Sequence, residues 1–195
     1  MGWMRCIAVA ALALPVLMGC EAPERRSDVG VVAELSNGLR VGDYAPGFEF
    51  YGGDGKRVRF TDVRGDVTIV AITDAVDPNV CSIAGNILLL AERYSSIDTN
   101  VKYFCVSEPK GETCDLKANI VEKCGLKSIH VIGLCDAGGR VKRAFRVEEN
   151  NVYFVVGGNG RIAAKGQLGN LGGLEGALRK AVSQYEKDLP SMISQ

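Results

Sequence analysis

Residues 67–81 read VTIVAITDAVDPNVC, an apolar run that passes through an Asp-Pro turn signal and ends on a cysteine. VTIVAIT, at 67–73, is nearly continuous in apolar character, as expected of a central strand covered on both faces in a mixed α/β sheet. Beyond it, Val80, Ala84, Ile87, Leu88, Ala91 and Tyr94 recur at helical spacing. A helix is predicted over 78–96, with Asp77 as N-cap and Pro78 at its first position. Cys81 then falls in the first helical turn, where unpaired backbone N–H groups and the positive end of the dipole favour thiolate over thiol. The Asp77 carboxylate opposes that effect, since a nearby negative charge raises a thiol pKa.

Working outward, further strands are expected at GFEFY (47–51), VRF (58–60), VKYFCVS (101–107), HVIGLC (130–135), VYFVVG (152–157) and RIAAKG (161–166). VYFVVG is a second continuous apolar run and a second central-strand candidate. A helix is expected from Cys114 to Cys124, capped by Thr113, with Leu116, Ile120 and Val121 inward and Gly125 ending it. Leu174, Ala177, Leu178, Ala181, Val182 and Tyr185 form the stripe of a closing amphipathic helix. Gly157-Gly-Asn-Gly160 lies between two strands with no helix after it, so it reads as a hairpin turn and not as a phosphate loop.

The 195 residues, 47% hydrophobic and 24% charged, fit one globular domain. Lys plus Arg and Asp plus Glu number 23 each, so no global basic field exists to hold nucleic acid. With one histidine, His130, multi-histidine zinc sites are excluded and a Ser/His/Asp hydrolase would rest on that residue alone. Seven cysteines direct attention to redox chemistry. Cys114 and Cys124 are ten residues apart on one expected helix, about 15 Å, too far to bond to each other.

The amino terminus carries Arg5 and then an apolar run, Ile7 to Met18, shorter than a membrane span. It reads as a secretory signal over 1–19, and Leu17-Met-Gly-Cys20 resembles the bacterial lipobox, with Cys20 lipidated as the mature first residue. Loss of Arg5 leaves 22 basic and 23 acidic residues. The organisation expected is a polar tether at 20–39, a domain at 40–189 and a tail at 190–195. The domain would be exported and held to the bilayer of the cell envelope through Cys20. Five cysteines remain in it, Cys81, Cys105, Cys114, Cys124 and Cys135, and an odd count leaves at least one unpaired.

The order of these elements, with Val41-Gly-Asp-Tyr-Ala-Pro-Gly-Phe48 leading in, Arg64-Gly-Asp66 before VTIVAIT and VYFVVGGNGRIAAKGQLG as a final hairpin, resembles the redoxin group of the thioredoxin superfamily. That group includes thiol-specific-antioxidant peroxiredoxins and Sco-type copper chaperones. The resemblance spans about residues 41–187 and implies a thioredoxin-like three-layer α/β/α fold with a central mixed sheet flanked by helices. It also implies that Cys81 is the reactive cysteine, that Cys114 or Cys124 is its resolving partner, and that Cys105 and Cys135 lie on neighbouring strands where a structural disulfide can form. Asp77-Pro-Asn-Val-Cys81 stands where Sco-like proteins resemble Cys-Pro-Asp-Val-Cys, and Asn151 stands before the final hairpin where thioredoxins carry proline.

These features lead to an exported, lipid-anchored thiol-disulfide oxidoreductase or thiol peroxidase that uses Cys81 as nucleophile and needs no cofactor or metal. Its redox partner would be an unidentified thiol donor or protein disulfide partner. A second expectation is a redox-inactive thioredoxin-fold module for binding or assembly. A third, Sco-like copper delivery, keeps Cys81 alone of the usual ligand set. His130, in a strand pattern, reads as a packed or surface residue.

Overall fold

The computed structural model describes residues 38–51, 57–108, 119–136 and 138–193. VTIVAIT forms the centre as expected: strand β3 (Val67–Asp74) is buried along nearly its whole length. It lies between β4 (Val101–Glu108), which runs parallel to it, and β6 (Val152–Val156), which runs antiparallel. The edges are β5 (Val131–Cys135), parallel to β4, and β7 (Ile162–Gln167), antiparallel to β6. The five-stranded order β5-β4-β3-β6-β7 is therefore a mixed sheet. A separate two-stranded ribbon pairs β1 (Glu49–Tyr51) with β2 (Arg57–Arg59). The turn at 157–160 is closed by Gly160 N–H donating to Gly157 C=O, which makes it the expected hairpin.

One face of the sheet is covered by α2 (Val80–Tyr94), α3 (Ile120–Lys123) and α5 (Leu171–Ile193). Val80, Ala84, Ile87 and Ala91 of α2 pack there with Leu174, Leu178 and Val182 of α5, the spacing that the sequence showed. The opposite face is covered by the leading segment around Leu39 and Phe48, by α1 (Phe60–Val63) and by α4 (Arg140–Ala144). The result is the three-layer arrangement with a central mixed sheet.

Several boundaries differ from expectation for local reasons. Helix α2 starts at Val80 with Asn79 as its N-cap, because the Asp77 carboxylate accepts the Asn79 N–H and closes a turn over Pro78 instead of capping a helix there. Helix α3 is capped by Asn119, whose side-chain oxygen accepts the Val121 N–H at 3.0 Å. Thr113, Cys114 and Leu116 lie outside the described residues. Gly125 ends α3 with φ +64°, a conformation that glycine adopts without steric cost.

Phe60, expected as strand, opens α1, and its buried ring packs in the core against Phe48. Helix α4 had no counterpart in the sequence reading; Gly138 and Gly139 both take positive φ before it, and buried Asp136 accepts the N–H groups of Val141 and Lys142. Leu39, placed in the tether from sequence, is buried, and its N–H donates to Phe145 C=O. Helix α5 continues through Pro190 to Ile193, past the expected boundary at 189. The strand expected from His130 begins one residue later, at Val131.

Candidate active site

Helix α2 begins just past the carboxyl end of β3, which places Cys81 at its second residue. Cys124 occupies the C-cap of α3, and the two cysteines form a disulfide with a Cα–Cα distance of 5.2 Å across a sequence separation of 43. Both are half-buried against the core beneath α2 and α3. This brings Cys81 together with one of its two expected partners. Cys114, the other, lies outside the described residues, as does Cys20.

Two packing contacts seat α3. Ile120 and Val121 enter the core, and Gly133 of β5 lies directly beneath them. A Cβ at Gly133 would come within 2.2 Å of Asn119 Oδ1 and 2.8 Å of Val121 Cβ, so any side chain there displaces the helix. From the other side, Lys123 Nζ donates to Ala75 C=O in the loop between β3 and α2 at 2.8 Å.

That loop is also held from β6. Asn151 adopts φ +62°, and its side chain bridges two residues of the loop: Oδ1 accepts the Asp74 N–H at 3.2 Å and Nδ2 donates to Asp77 Oδ2 at 3.1 Å. The other Asp77 oxygen accepts the Asn79 N–H at 2.8 Å. Both oxygens of the carboxylate expected to disfavour a Cys81 thiolate are thus hydrogen-bonded. Asn150 Oδ1, next to this bridge, is buried without a partner among the described residues.

An open groove of about 390 Å³ begins at Cys81 and follows α2 past Ser82, Gly85, Asn86 and Leu89 to Leu126. Leu89 is 59% exposed within it, and among the described residues no charged side chain lines it. A Cβ at Gly85 would meet nothing within 4 Å, so the groove is open to an incoming group beside the disulfide.

The remaining cysteines divide sharply. The structural disulfide expected between Cys105 and Cys135 is absent: Cys105 is a free, fully buried thiol. Cys105 is in register with Ala71 and Gly133, and Cys135 with Ser107, so the two are two positions out of step on adjacent strands. Cys135 is disulfide-bonded, its partner lying outside the described residues. Burial pushes the Cys105 thiol up to about 11, against the opposing influence of the neighbouring Tyr103 and Thr73 hydroxyls. The Tyr103 hydroxyl next to it is likewise pushed well above its ordinary value, first by burial and then by the Cys105 thiol. A thiol so placed is protonated and out of reach of any oxidant.

His130 Nδ1 lies 3.0 Å from Val101 C=O and 3.2 Å from Ser95 Oγ, which ties the ring to the start of β4 and the end of α2. It packs as expected and stands apart from the disulfide in the fold. Among the described residues no group of three or more His, Cys, Asp or Glu side chains could hold a metal ion. Cys81 was legible from its helix-start position, with Cys114 and Cys124 both left open as its partner, whereas Lys123 and Asn151 gave no sequence signal beyond their residue type.

No protein-family profile and no curated protein matches this sequence. Solved structures do. A candidate thiol:disulfide interchange protein of the DsbE type from Chlorobium tepidum is 18% identical over 74% of this chain and 99% of its own, with a TM-score of 0.57. A thiol:disulfide interchange protein from Bacteroides sp. is 20% identical over 74% of this chain and 91% of its own, with a TM-score of 0.56. The peroxidoxin BcpB of Mycobacterium tuberculosis is 16% identical over 73% of this chain and 97% of its own, with a TM-score of 0.55. With the mixed sheet, the helices on both its faces and these neighbours, the chain has a thioredoxin-like α/β fold.

Proposed function

We propose that this protein is a thiol-disulfide redox protein in which Cys81 and Cys124 form the working couple. The observation that carries this reading is the disulfide itself, which joins the first turn of α2 to the end of α3 at the head of an open groove. When the couple is reduced, the N-terminal turn of α2 stabilises Cys81 as thiolate, the form that attacks. Against a disulfide RSSR, Cys81 displaces one RS⁻, which takes a proton, and forms a mixed disulfide. The Cys124 thiolate then attacks Cys81 Sγ and releases the second thiol. Against a peroxide ROOH, Cys81 takes one oxygen to become the sulfenic acid as ROH leaves, and Cys124 condenses with it to form the disulfide and water. Either route removes two electrons from the pair and ends on the bond seen here.

We also propose that the domain works outside the cytoplasm, tethered through lipidated Cys20, with a thiol donor or protein disulfide as redox partner. Its disulfides support an oxidising compartment. Radiolabelled fatty acid should appear on the expressed protein and disappear in Cys20→Ser; label retained in that variant would overturn the anchor.

The decisive test is thiol mapping by mass spectrometry on reduced protein, before and after one equivalent of peroxide or glutathione disulfide. Expected is first modification at Cys81, then the bond to Cys124, with neither in Cys81→Ser. A couple that dithiothreitol does not reduce in the native protein, or a Cys81 that stays inert when reduced, would make the bond a structural staple and the domain a binding module.

A further inference from the structure

We infer that Lys123 is a positioning residue for the Cys81–Cys124 couple, holding the two thiols within bonding reach while the disulfide is open; this rests on the couple proposed above. Lys123 immediately precedes Cys124, and its ammonium donates to Ala75 C=O at 2.8 Å, in the loop that leads from β3 into the turn carrying Cys81. Among the described residues this is the hydrogen bond that joins α3 to that loop.

The rest of α3's seating points elsewhere. Asn119 and Val121 rest on Gly133 of β5, which fixes the start of the helix, while its end is held by Cys124 and Leu126 packing on the core, by the disulfide and by Lys123. The far end of the contact is itself fixed, because Asn151 pins the loop through the Asp74 N–H and the Asp77 carboxylate. Lys123 thus grips a fixed point, and on reduction its contact adds a directional tie to the apolar packing that keeps α3 beside α2.

The disulfide and the lysine contact constrain the same pair of elements, so each favours the other, and the coupling is reciprocal. Closing the bond fixes the lysine contact, and the lysine contact raises the effective concentration of one thiol at the other. A four-residue helix has little cooperativity of its own to keep Cys124 in place, so its position depends on core packing and on this side-chain contact.

The test is the equilibrium Cys81–SH + Cys124–SH + GSSG ⇌ Cys81–S–S–Cys124 + 2 GSH, set up on the folded protein in glutathione buffers of graded ratio. Acid quenching, alkylation and peptide mass spectrometry read the two sites individually, so Cys105 and Cys135 do not enter the result. Lys123→Met keeps the aliphatic stem and removes the donor; the oxidised fraction should then correspond to an equilibrium constant lowered about three- to tenfold. Lys123→Arg, which restores a cationic donor of similar reach, should recover most of the loss. A lysine that only covers surface would shift the melting temperature of both redox forms alike and leave this constant unmoved.

An equilibrium constant within twofold of wild type in Lys123→Met, or no recovery in Lys123→Arg, overturns the assignment. The equilibrium is measurable whether or not the couple turns over a substrate. Failure of the redox function would therefore show in rates, as a wild-type Cys81 that reacts with peroxide and glutathione disulfide no faster than an ordinary thiol, while the equilibrium reached on long incubation still reads the lysine contact.

Discussion

The two faces of the sheet are built from different materials. All six phenylalanines of the chain lie on the face covered by α1 and α4: Phe48, Phe60, Phe104, Phe145 and Phe154 are buried there, and Phe50 packs against them. Phe48 stacks on Phe60 at 4.7 Å between ring centroids, and Phe104 meets Phe60 edge-on at 5.1 Å. The other face, beneath α2, α3 and α5, is aliphatic and tyrosine-bearing, and it holds Cys81, Cys124 and Cys105. Element length accounts for the division. Helices α1 and α4 have 4 and 5 residues, too few to bury much area with aliphatic side chains, so large rings supply it. Helices α2 and α5, of 15 and 23 residues, cover their face by repeating small and medium apolar side chains every turn. The aromatic face thus closes over the sheet with rings and short helices, while the other face carries the disulfide that joins two helices.

Truncating the aromatic face should break that division of labour most severely. Phe104→Ala removes the ring that meets Phe48, Phe50 and Phe60, and about 3–5 kcal/mol of stability should be lost in urea denaturation while the Cys81–Cys124 bond still forms. Loss of the bond along with the stability would show that the two faces are not separable. On the cysteine face, Cys124→Ser opens a loop spanning a sequence separation of 43, and should cost roughly 2–4 kcal/mol relative to oxidised wild type, with little difference from reduced wild type.

Gly133→Ala forces α3 off β5 and should cost about 1–3 kcal/mol. It should also slow disulfide closure after reduction, measured by quenched alkylation, because α3 no longer seats squarely. Unchanged closure would mean that Cys124 finds Cys81 without that seat.

The smallest effect sharpens the contrast between the sealed thiol and the half-buried pair. Folding raises the Cys105 thiol from an ordinary value near 9.0 to about 11, so its contribution is whole below pH 9. Between pH 9 and 11 the unfolded chain releases this proton and the native state keeps it, so stability falls as pH rises, by no more than about 2 kcal/mol at pH 10.5. Comparing urea midpoints of wild type and Cys105→Ala from pH 8 to 10.5 isolates this slope. In native reduced protein, Cys105 should resist alkylation at pH 8 while Cys81 and Cys124 react; labelling of all three at similar rates would contradict its burial.

The long regular elements were legible because their patterns are strong. VTIVAIT and VYFVV became the two neighbouring central strands, and the Leu174-to-Tyr185 stripe became the covered side of α5. Short elements were not. Helix α4 has only Val141 buried within it and is set by two positive-φ glycines and a buried aspartate, which no periodicity reveals. The turn at Asp77 was visible as a helix start, but it is Asn151, 74 residues away, that takes its second carboxylate oxygen.

By itself the sequence determined an α/β chain with central apolar strands, a closing amphipathic helix and a cysteine in the first turn of the helix that follows its most apolar strand, because each of these is a local pattern of side-chain burial or backbone conformation. Only the tertiary structure decided which cysteine meets Cys81, that Cys105 is sealed in the core, and that Lys123 and Asn151 hold the same loop from opposite sides. Pairing depends on strand register and on where a four-residue helix lands on Gly133. Those are distances between residues far apart in the chain, and they exist only once the sheet has assembled.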